Sequence, residues 1–184
     1  MRRVLRQDFF ARTADVVAPE LLGKYLVRSQ GGSERALMIT EAEAYDGFDD
    51  LASHAAKGKT LRTEVMYGKP GHWYVYLIYG MYEMLNIVTG KTDYPSAVLI
   101  RGAEGLDGPG KLTRELSITR ALNAKPATKW NGLWIEDRGI FIPKNNIIAT
   151  PRIGVAYAGE WAKKPWRFVM KNEKGTPKKG VPRV

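Results

Sequence analysis

Two glutamates and a tyrosine alternate in the segment Glu41–Tyr45, and this spacing could support acid–base chemistry. In an extended strand Glu41, Glu43 and Tyr45 share one face, because successive side chains point to opposite sides. Arg101 ends a separate apolar run and could lie beside them. A carboxylate next to an arginine stays ionised, and it can accept a proton from a water molecule that the guanidinium holds. A salt bridge that closes a sheet explains the same spacing, so both interpretations stand at this point.

Tyrosines are concentrated near the middle of a basic chain. Five of the nine fall within residues 67–82, and 29 Lys and Arg against 19 Asp and Glu give a net charge of +10. Such a cluster is typical of sheet packing. Beside a positive charge it is also typical of nucleic-acid binders, in which aromatic rings stack on bases and cations contact phosphates. The charge alone allows DNA or RNA as partner.

Several other kinds of site are excluded or disfavoured. The chain has no cysteine, which excludes disulfides, Fe–S clusters and thiol nucleophiles. Gly105–Leu112 resembles a Walker A loop, but Leu112 stands where Ser or Thr would bind magnesium. The only histidines are His54 and His72, and the acidic residues of 46–50 lack the ligand spacing of an EF-hand. We expect neither a metal nor a cofactor.

The elements that would carry these residues are mostly strands. A turn at Tyr79–Tyr82 predicts a hairpin, helices are expected at Ala18–Gly23 and Lys111–Ala121, and residues 46–71 are expected to form a long functional loop. Strands are predicted, in chain order, at Lys24–Arg28, Ala36–Tyr45, His72–Ile78, Met84–Thr89, Ala97–Arg101, Leu133–Glu136, Gly139–Ile142, Arg152–Ala156 and Arg167–Met170. We therefore expect an α+β fold: a single domain, residues 1–172, with a curved, mainly antiparallel β-sheet flanked by short helices and a protruding β-hairpin.

Much of the excess charge lies at the end of the chain. Residues 163–184 hold eight basic residues and one acidic residue. A solubilising, flexible segment over residues 173–184 explains this charge, and so does an electrostatic contact with phosphates. The longest apolar run, Trp73–Tyr79, is too short for a membrane helix, so we expect no membrane association.

Six blocks and single residues, taken together in order, resemble the alkyladenine (3-methyladenine, methylpurine) DNA glycosylase family. They are Ile39–Tyr45, His54, Gly71–Tyr82 with Asn86, Val98–Arg101, Gly108–Leu112 and Arg152–Trp161. The resemblance runs over roughly residues 8–170. It implies a monofunctional enzyme that flips a damaged purine out of duplex DNA, hydrolyses its N-glycosidic bond and leaves an abasic site. It calls for no cofactor.

The resemblance also implies roles for individual residues. Glu43 corresponds to the general base that activates water, while Arg101 and the carbonyl of Ile153 help to hold that water. The remaining roles concern the damaged base and the duplex. The base would stack between Tyr45 and His54, with Tyr76 edge-on, and the Ala52 N–H and the His54 ring would offer it hydrogen bonds. The Asn86 side chain would clash with the 2-amino group of normal guanine. Tyr79 would fill the gap in the duplex, and the DNA backbone would be contacted by Lys59, Arg62, Met81, Tyr82 and Lys111.

Two departures concern lesion preference. Lys59–Thr63 differs from the arginine-rich loop of the family, and Tyr157 stands where some members have histidine. The preference for neutral lesions such as hypoxanthine and ethenoadenine is therefore left open beside 3-methyladenine and 7-methylguanine. We expect a monomeric, cytoplasmic, nucleoid-associated enzyme of bacterial type. A non-catalytic lesion-binding protein and an RNA-binding protein remain the alternatives.

Overall fold

A computed structural model describes residues 2–172 and residue 176 and folds them around an antiparallel sheet. Its ten strands are β1 (Arg3–Val4), β2 (Tyr25–Gln30), β3 (Ser33–Asp46), β4 (Trp73–Ile78), β5 (Tyr82–Val88), β6 (Ser96–Ala103), β7 (Leu106–Asp107), β8 (Leu133–Asp137), β9 (Ile147–Thr150) and β10 (Arg167–Met170). The α-helices of this described part are α1 (Gln7–Phe10), α2 (Ala14–Leu21), α3 (Pro109–Glu115) and α4 (Glu160–Lys163). Short 3₁₀ turns occupy His54–Lys57, Glu64–Tyr67, Arg120–Leu122, Lys129–Asn131, Lys144–Asn146 and Ala156–Ala158.

The long strand β3 is the centre of the sheet. The strand order is β1-β8-β2-β3-β6-β5-β4, with β7 added to β6, and with β10 joined to both β3 and β9. β2 pairs with the first half of β3, whereas β6 and β10 both pair with its second half. All of these pairs are antiparallel, which confirms the predicted α+β class. The second half of β3 therefore has strands on both sides, and side chains there are well fixed.

A β-bulge interrupts β3 at Glu41. Ile39 pairs with Ala103 and Ala42 with Ile100, and the register shifts on either side of Glu41. An extra residue in one strand reverses the alternation, so Ile39 and Ala42 can both enter the hydrophobic core although they are three residues apart. Beyond the bulge Glu41 and Glu43 lie on the face away from Ala42, as the sequence predicts.

Apolar side chains from α2 and the sheet form the main core under this strand. Val17 and Leu21 of α2 are fully buried with Trp73 and Ile100, and α2 packs against β3. Burial of this kind stabilises a fold by about 1.5–3 kcal/mol for each large apolar side chain. The carboxylate of Asp46, at the end of β3, accepts a hydrogen bond of 3.0 Å from the Ala14 N–H and so caps α2. The end of β3 is thereby tied to the core helix.

Four local predictions differ from the structure. The helix expected at Ala18–Gly23 is α2, which starts earlier and ends at Leu21. The helix expected over Lys111–Ala121 ends at Glu115, because Ser117 has a left-handed φ of 49°. The strand predicted at Gly139–Ile142 is irregular backbone that starts with a turn, in which the Gly139 N–H donates to Asp137. The strand predicted at Arg152–Ala156 is a loop with Gly154 at φ 78°.

The remaining expectations fall into three groups. The loop predicted over residues 46–71 is confirmed and contains two 3₁₀ turns. Within the described part of the chain, no helix is long and apolar enough to cross a membrane. The predicted basic segment 173–184 lies outside the described residues, apart from Thr176.

Candidate active site

The carboxylate of Glu43 is completely buried in the second half of β3. Its Oε1 accepts a hydrogen bond of 2.9 Å from the backbone N–H of Ile153, and its Oε2 accepts one of 2.8 Å from the Tyr45 hydroxyl. The Arg101 Nη1 lies 3.5 Å from the same Oε2. A buried carboxylate without such donors would be costly, so these three groups together support the ionised form. The predicted grouping of Glu43, Tyr45 and Arg101 is present in the structure.

Glu41, one pleat away, has different surroundings. Its Oε1 accepts hydrogen bonds from Arg101 Nε at 3.0 Å and from Arg167 Nε at 2.6 Å. Burial on its own would lower the pKa of the Arg101 guanidinium, but the charges of Glu43 and Glu41 outweigh it and raise that pKa above its usual value. Arg101 is therefore a fixed cation that joins the two glutamates. Arg167 was not singled out by the sequence, because its place beside Glu41 depends on the pairing of β10 with β3.

Aromatic side chains line the space next to Glu43. Tyr76 is close enough to Tyr45 and Glu43 for all three to interact electrostatically. The ring centroids of Tyr76 and His54 are 4.6 Å apart and nearly edge-on, and His54 Nδ1 lies 3.1 Å from the Tyr74 hydroxyl. The structure thus brings together the three aromatic residues expected to surround a base. Tyr74, which the sequence did not assign to the site, orients the His54 ring.

The ionisable aromatic groups of this pocket are neutral near pH 7. Burial, and then the positive charges of Arg62 and Lys57, lower the pKa of His54 to about 4. Burial, and then the charge of Glu43, raise the pKa of the Tyr45 hydroxyl well above its usual value. The pKa of Tyr76 is raised as well, first by burial and then by Tyr74. A neutral imidazole offers one donor and one acceptor, so His54 can hydrogen-bond a polar ligand without adding charge.

Ala52 and Asn86 flank this pocket and are both buried. The side-chain amide of Asn86 donates to the carbonyl of Tyr74 at 3.1 Å, which fixes its orientation between β4 and β6. The Ala52 N–H donates to Asp50 Oδ1 at 3.1 Å, and the Ala52 carbonyl accepts from the Tyr157 hydroxyl at 3.3 Å. A hydrogen bond from the Ala52 N–H to a base would therefore have to share or replace the bond to Asp50.

Asp50 and Arg152 form an ion pair behind the pocket that the sequence did not predict. Arg152 Nη1 lies 2.6 Å from Asp50 Oδ2, and Arg152 Nη2 lies 2.8 Å from Oδ1, with both side chains fully buried. The guanidinium also lies 4.8 Å from the centre of the Tyr45 ring. In the sequence the only signals were the acidic residues of 46–50 and the position of Arg152 at the start of the block Arg152–Trp161, and the two partners are 102 positions apart.

The β4–β5 hairpin places Tyr79 at its exposed tip. The Met81 N–H donates to the Ile78 carbonyl at 3.2 Å, and Tyr79 and Gly80 have φ values of 52° and 69°. These values are those of a type I′ turn, which matches the twist of a two-stranded hairpin. Tyr79 is 82% exposed, and Met81 is exposed next to it.

The other residues expected to contact a DNA backbone are also at the surface. Lys59, Lys111 and Tyr82 are exposed. The guanidinium of Arg62 lies 5.0 Å from the centre of the Tyr76 ring and donates to the Leu77 carbonyl at 3.4 Å. Arg62 is thus part of the pocket wall as well as of the surface. Among residues 2–172 and 176, no group of His, Asp and Glu side chains is arranged to hold a metal ion.

Comparison with known proteins gives one consistent family. A family profile described as methylpurine-DNA glycosylase matches residues 8–107 and 104–174. A protein of Methanocella arvoryzae is 49% identical over 92% of this chain and 93% of its own length. One of Myxococcus xanthus is 46% identical over 95% of this chain and 93% of its own, and one of Anaeromyxobacter dehalogenans is 46% identical over 91% and 82%. Each of these relatives is named as a candidate 3-methyladenine DNA glycosylase.

Proposed function

Because the chain belongs to the methylpurine-DNA glycosylase family, we propose that Glu43 activates the water that releases alkylated purines from its DNA substrate. Membership makes the protein a DNA-3-methyladenine glycosylase, a hydrolase that acts on N-glycosyl bonds. Our proposal adds the residues that perform the reaction and the class of base that enters the pocket: 3-methyladenine and 7-methylguanine, with hypoxanthine and ethenoadenine as further candidates.

The burial of Glu43 among three hydrogen-bond donors is the observation that carries the proposal. A general base has to be ionised before it can accept a proton, and the donors Ile153 N–H, Tyr45 hydroxyl and Arg101 support that state. Arg101 remains protonated at any relevant pH, so it can orient a water molecule next to Glu43. We assign Arg101 this role. We also assign the Ile153 segment the support of the carboxylate through its N–H, in addition to the carbonyl contact that the family resemblance implies.

The chemical step needs only water and the base Glu43. Water attacks C1′ of the damaged nucleotide, the bond from C1′ to the purine nitrogen breaks, and its electron pair leaves with the purine. Glu43 takes the proton that the water loses. A purine methylated at N3 or N7 is cationic, so it leaves as a neutral molecule and requires little help from an acid. The products are the free purine and an abasic site.

The pocket suits a purine that has been rotated out of the duplex. A base inside the stack cannot reach Glu43, so it has to be extruded at a cost of a few kcal/mol. Tyr45, His54 and Tyr76 offer aromatic surface for stacking, and neutral His54 does not repel a cationic base. The Asn86 amide, held by the Tyr74 carbonyl, would lie where the 2-amino group of a guanine makes a clash. Because 7-methylguanine keeps that amino group, we expect it to be released more slowly than 3-methyladenine.

The hairpin and the surrounding surface suit the duplex itself. We propose that Tyr79 enters the stack in place of the extruded nucleotide, because it is exposed at the tip of a hydrogen-bonded turn. Met81, Tyr82, Lys59 and Lys111 would contact the backbone of the DNA around it. These contacts position the enzyme and carry no sequence information.

Base release from alkylated DNA tests the proposal directly. The protein is incubated with duplex DNA treated with dimethyl sulfate, in excess EDTA, and free methylated purines are measured by chromatography. We expect release of 3-methyladenine and 7-methylguanine by the wild type, and loss of release in Glu43→Gln. Glu136→Gln is the matched control, because Glu136 is also a buried, hydrogen-bonded carboxylate on a strand but lies outside the site.

Three outcomes would contradict the proposal. Tight binding to lesion DNA without release of a base would mean that the site only recognises damage. Activity that appears only when a divalent metal is restored would contradict the metal-free mechanism. Preference for the same lesion in RNA over DNA would point to an RNA substrate.

A further inference from the structure

Four hydrogen bonds to backbone groups make the Asp50–Arg152 ion pair a junction between separate segments. The two Nη groups of Arg152 donate to both Asp50 oxygens, to the Ala44 carbonyl at 2.8 Å and to the Trp161 carbonyl at 3.1 Å. Asp50 in turn accepts from the N–H groups of Ala52, at 3.1 Å, and Asp46, at 3.3 Å. One pair of side chains therefore links β3, the loop that follows it, and the segment that runs from Arg152 into α4.

The segments joined in this way all contribute to the proposed site. Arg152 is followed directly by Ile153, whose N–H donates to Glu43. Asp50 holds the loop that carries Ala52 and leads into the turn beginning at His54. The guanidinium also packs over the ring of Tyr45, which hydrogen-bonds Glu43. A shift of this pair would move both the Ile153 N–H that donates to Glu43 and the wall of the pocket at the same time.

Stability alone is a weak reason for such a pair. Removing two charges from water is costly, and well-packed apolar residues of similar volume often stabilise a fold equally well or better. A bidentate arginine–carboxylate pair does fix distance and orientation more strictly than apolar packing does. The geometry of the pair therefore favours a role in alignment.

We propose that the Asp50–Arg152 pair is a positioning device: it aligns the Ile153 N–H with Glu43 and holds the loop of Ala52 and His54 against the pocket. The proposal rests on the proposed function, since it concerns alignment for base release. Neither residue touches the base or the water; both act through Ile153, Tyr45 and Ala52. Misplacement of reacting groups by about 1 Å is sufficient for a rate loss of roughly 10²-fold.

The test separates alignment from stability with a double substitution. Asp50→Asn leaves Arg152 buried without its ionic partner and is expected to lower both the melting temperature and the rate. The double variant Asp50→Leu with Arg152→Met removes both charges, so we expect its melting temperature to recover most of that loss. We expect its single-turnover excision rate at saturating enzyme to stay about 10²-fold below wild type. The single variant Arg152→Lys keeps the positive charge but loses the bidentate guanidinium contact, so we expect its excision rate to lie between those of the double variant and the wild type.

Hydrogen exchange at Ile153 reports alignment without relying on catalysis. Exchange of the Ile153 amide should be faster in the double variant than in the wild type, because the hydrogen bond to Glu43 is no longer held. The matched control is Glu136→Gln with Arg138→Met, which removes a partly buried ion pair at the end of β8. The control should change neither the Ile153 exchange nor the rate.

Two results would overturn the positioning role. One is a double variant with wild-type rate and wild-type exchange at Ile153. The other is a rate that follows the melting temperature equally in both pairs of variants, which would make the pair purely structural. If the wild type itself releases no base, the proposed function fails, but the exchange measurement still decides whether the pair aligns Ile153.

Discussion

Replacement of Tyr79 at the hairpin tip should separate DNA insertion from folding. Truncating a buried aromatic residue to alanine costs about 3–5 kcal/mol. Less than a fifth of Tyr79 is covered in the free protein, so Tyr79→Ala should cost roughly 1 kcal/mol or less. In a chain of 184 residues this corresponds to about 2–4 °C in melting temperature. Tyr79→Gly should be still milder, because φ at this position is 52° and a left-handed backbone strains any residue other than glycine.

The effect of the same change on excision should be larger. Stacking of an aromatic side chain against a base is worth about 1–3 kcal/mol. If Tyr79 fills the gap in the duplex, its removal lowers the excision rate by roughly 5- to 150-fold. The loss should be greatest for a well-paired lesion and smaller opposite a mismatch, where extrusion is already easier.

Two measurements are needed, thermal denaturation and single-turnover excision on the paired and mismatched substrates. Phe141→Ala is the matched control, because Phe141 is also 82% exposed and lies outside the site. It should leave both excision rates unchanged. A fall of more than about 10 °C for Tyr79→Ala, or equal losses of rate on the two substrates, would refute the insertion role.

The other predictions concern catalysis, pH and salt. Glu43→Gln should lower the single-turnover excision rate by roughly 10²–10⁴-fold while lesion binding persists, whereas Glu41→Gln should lower the rate much less. A near-normal rate for Glu43→Gln would exclude Glu43 as the base. The pKa of His54 is lowered to about 4 in the folded protein, so between about pH 6.5 and pH 4 the unfolded chain binds a proton at this residue that the folded chain does not. The contribution of His54 to folding stability is therefore full above about pH 6.5 and falls towards pH 4. His54→Gln should reduce the dependence of the melting temperature on pH over that range. Deletion of residues 173–184 removes a net charge of +3, so it should weaken binding to lesion DNA and to undamaged DNA about equally. The slope of log affinity against log salt should become smaller by at most about 3. A change in lesion preference would instead assign the segment another role.

The parts of the site that the sequence predicted are those that depend on local strand geometry. Glu41, Glu43 and Tyr45 follow a period of two within one strand, and this pattern survives because the bulge lies at the start of the triplet. The hairpin was predictable for the same reason, since Tyr79–Tyr82 contains a glycine between two alternating runs. The alignment of His54 with Tyr76 was available only from the family resemblance. It depends on the path of a loop, and alternation says nothing about that path.

The parts that the sequence missed depend on contacts between distant segments. Arg152–Ala156 has the apolar alternation of a strand, but Arg152 is committed to Asp50, and Gly154 at φ 78° turns the backbone away. Asp50 itself looked like one acid among several in a polar loop. A single sequence contains no signal for a buried pair whose members are 102 residues apart. Both errors have one cause, since pairing and burial override local pattern.

The structure also distinguishes two glutamates that the sequence pattern treated alike. Glu41 accepts hydrogen bonds from Arg101 and Arg167, so its charge is opposed by two guanidiniums at 3.0 Å or less. Glu43 accepts from one hydroxyl and one backbone N–H, and Arg101 lies farther away, at 3.5 Å. Glu41 is thus committed to two close ion pairs, whereas Glu43 is held mainly by neutral donors. The difference supports Glu43 as the base and assigns to Glu41 the task of holding Arg101 in place.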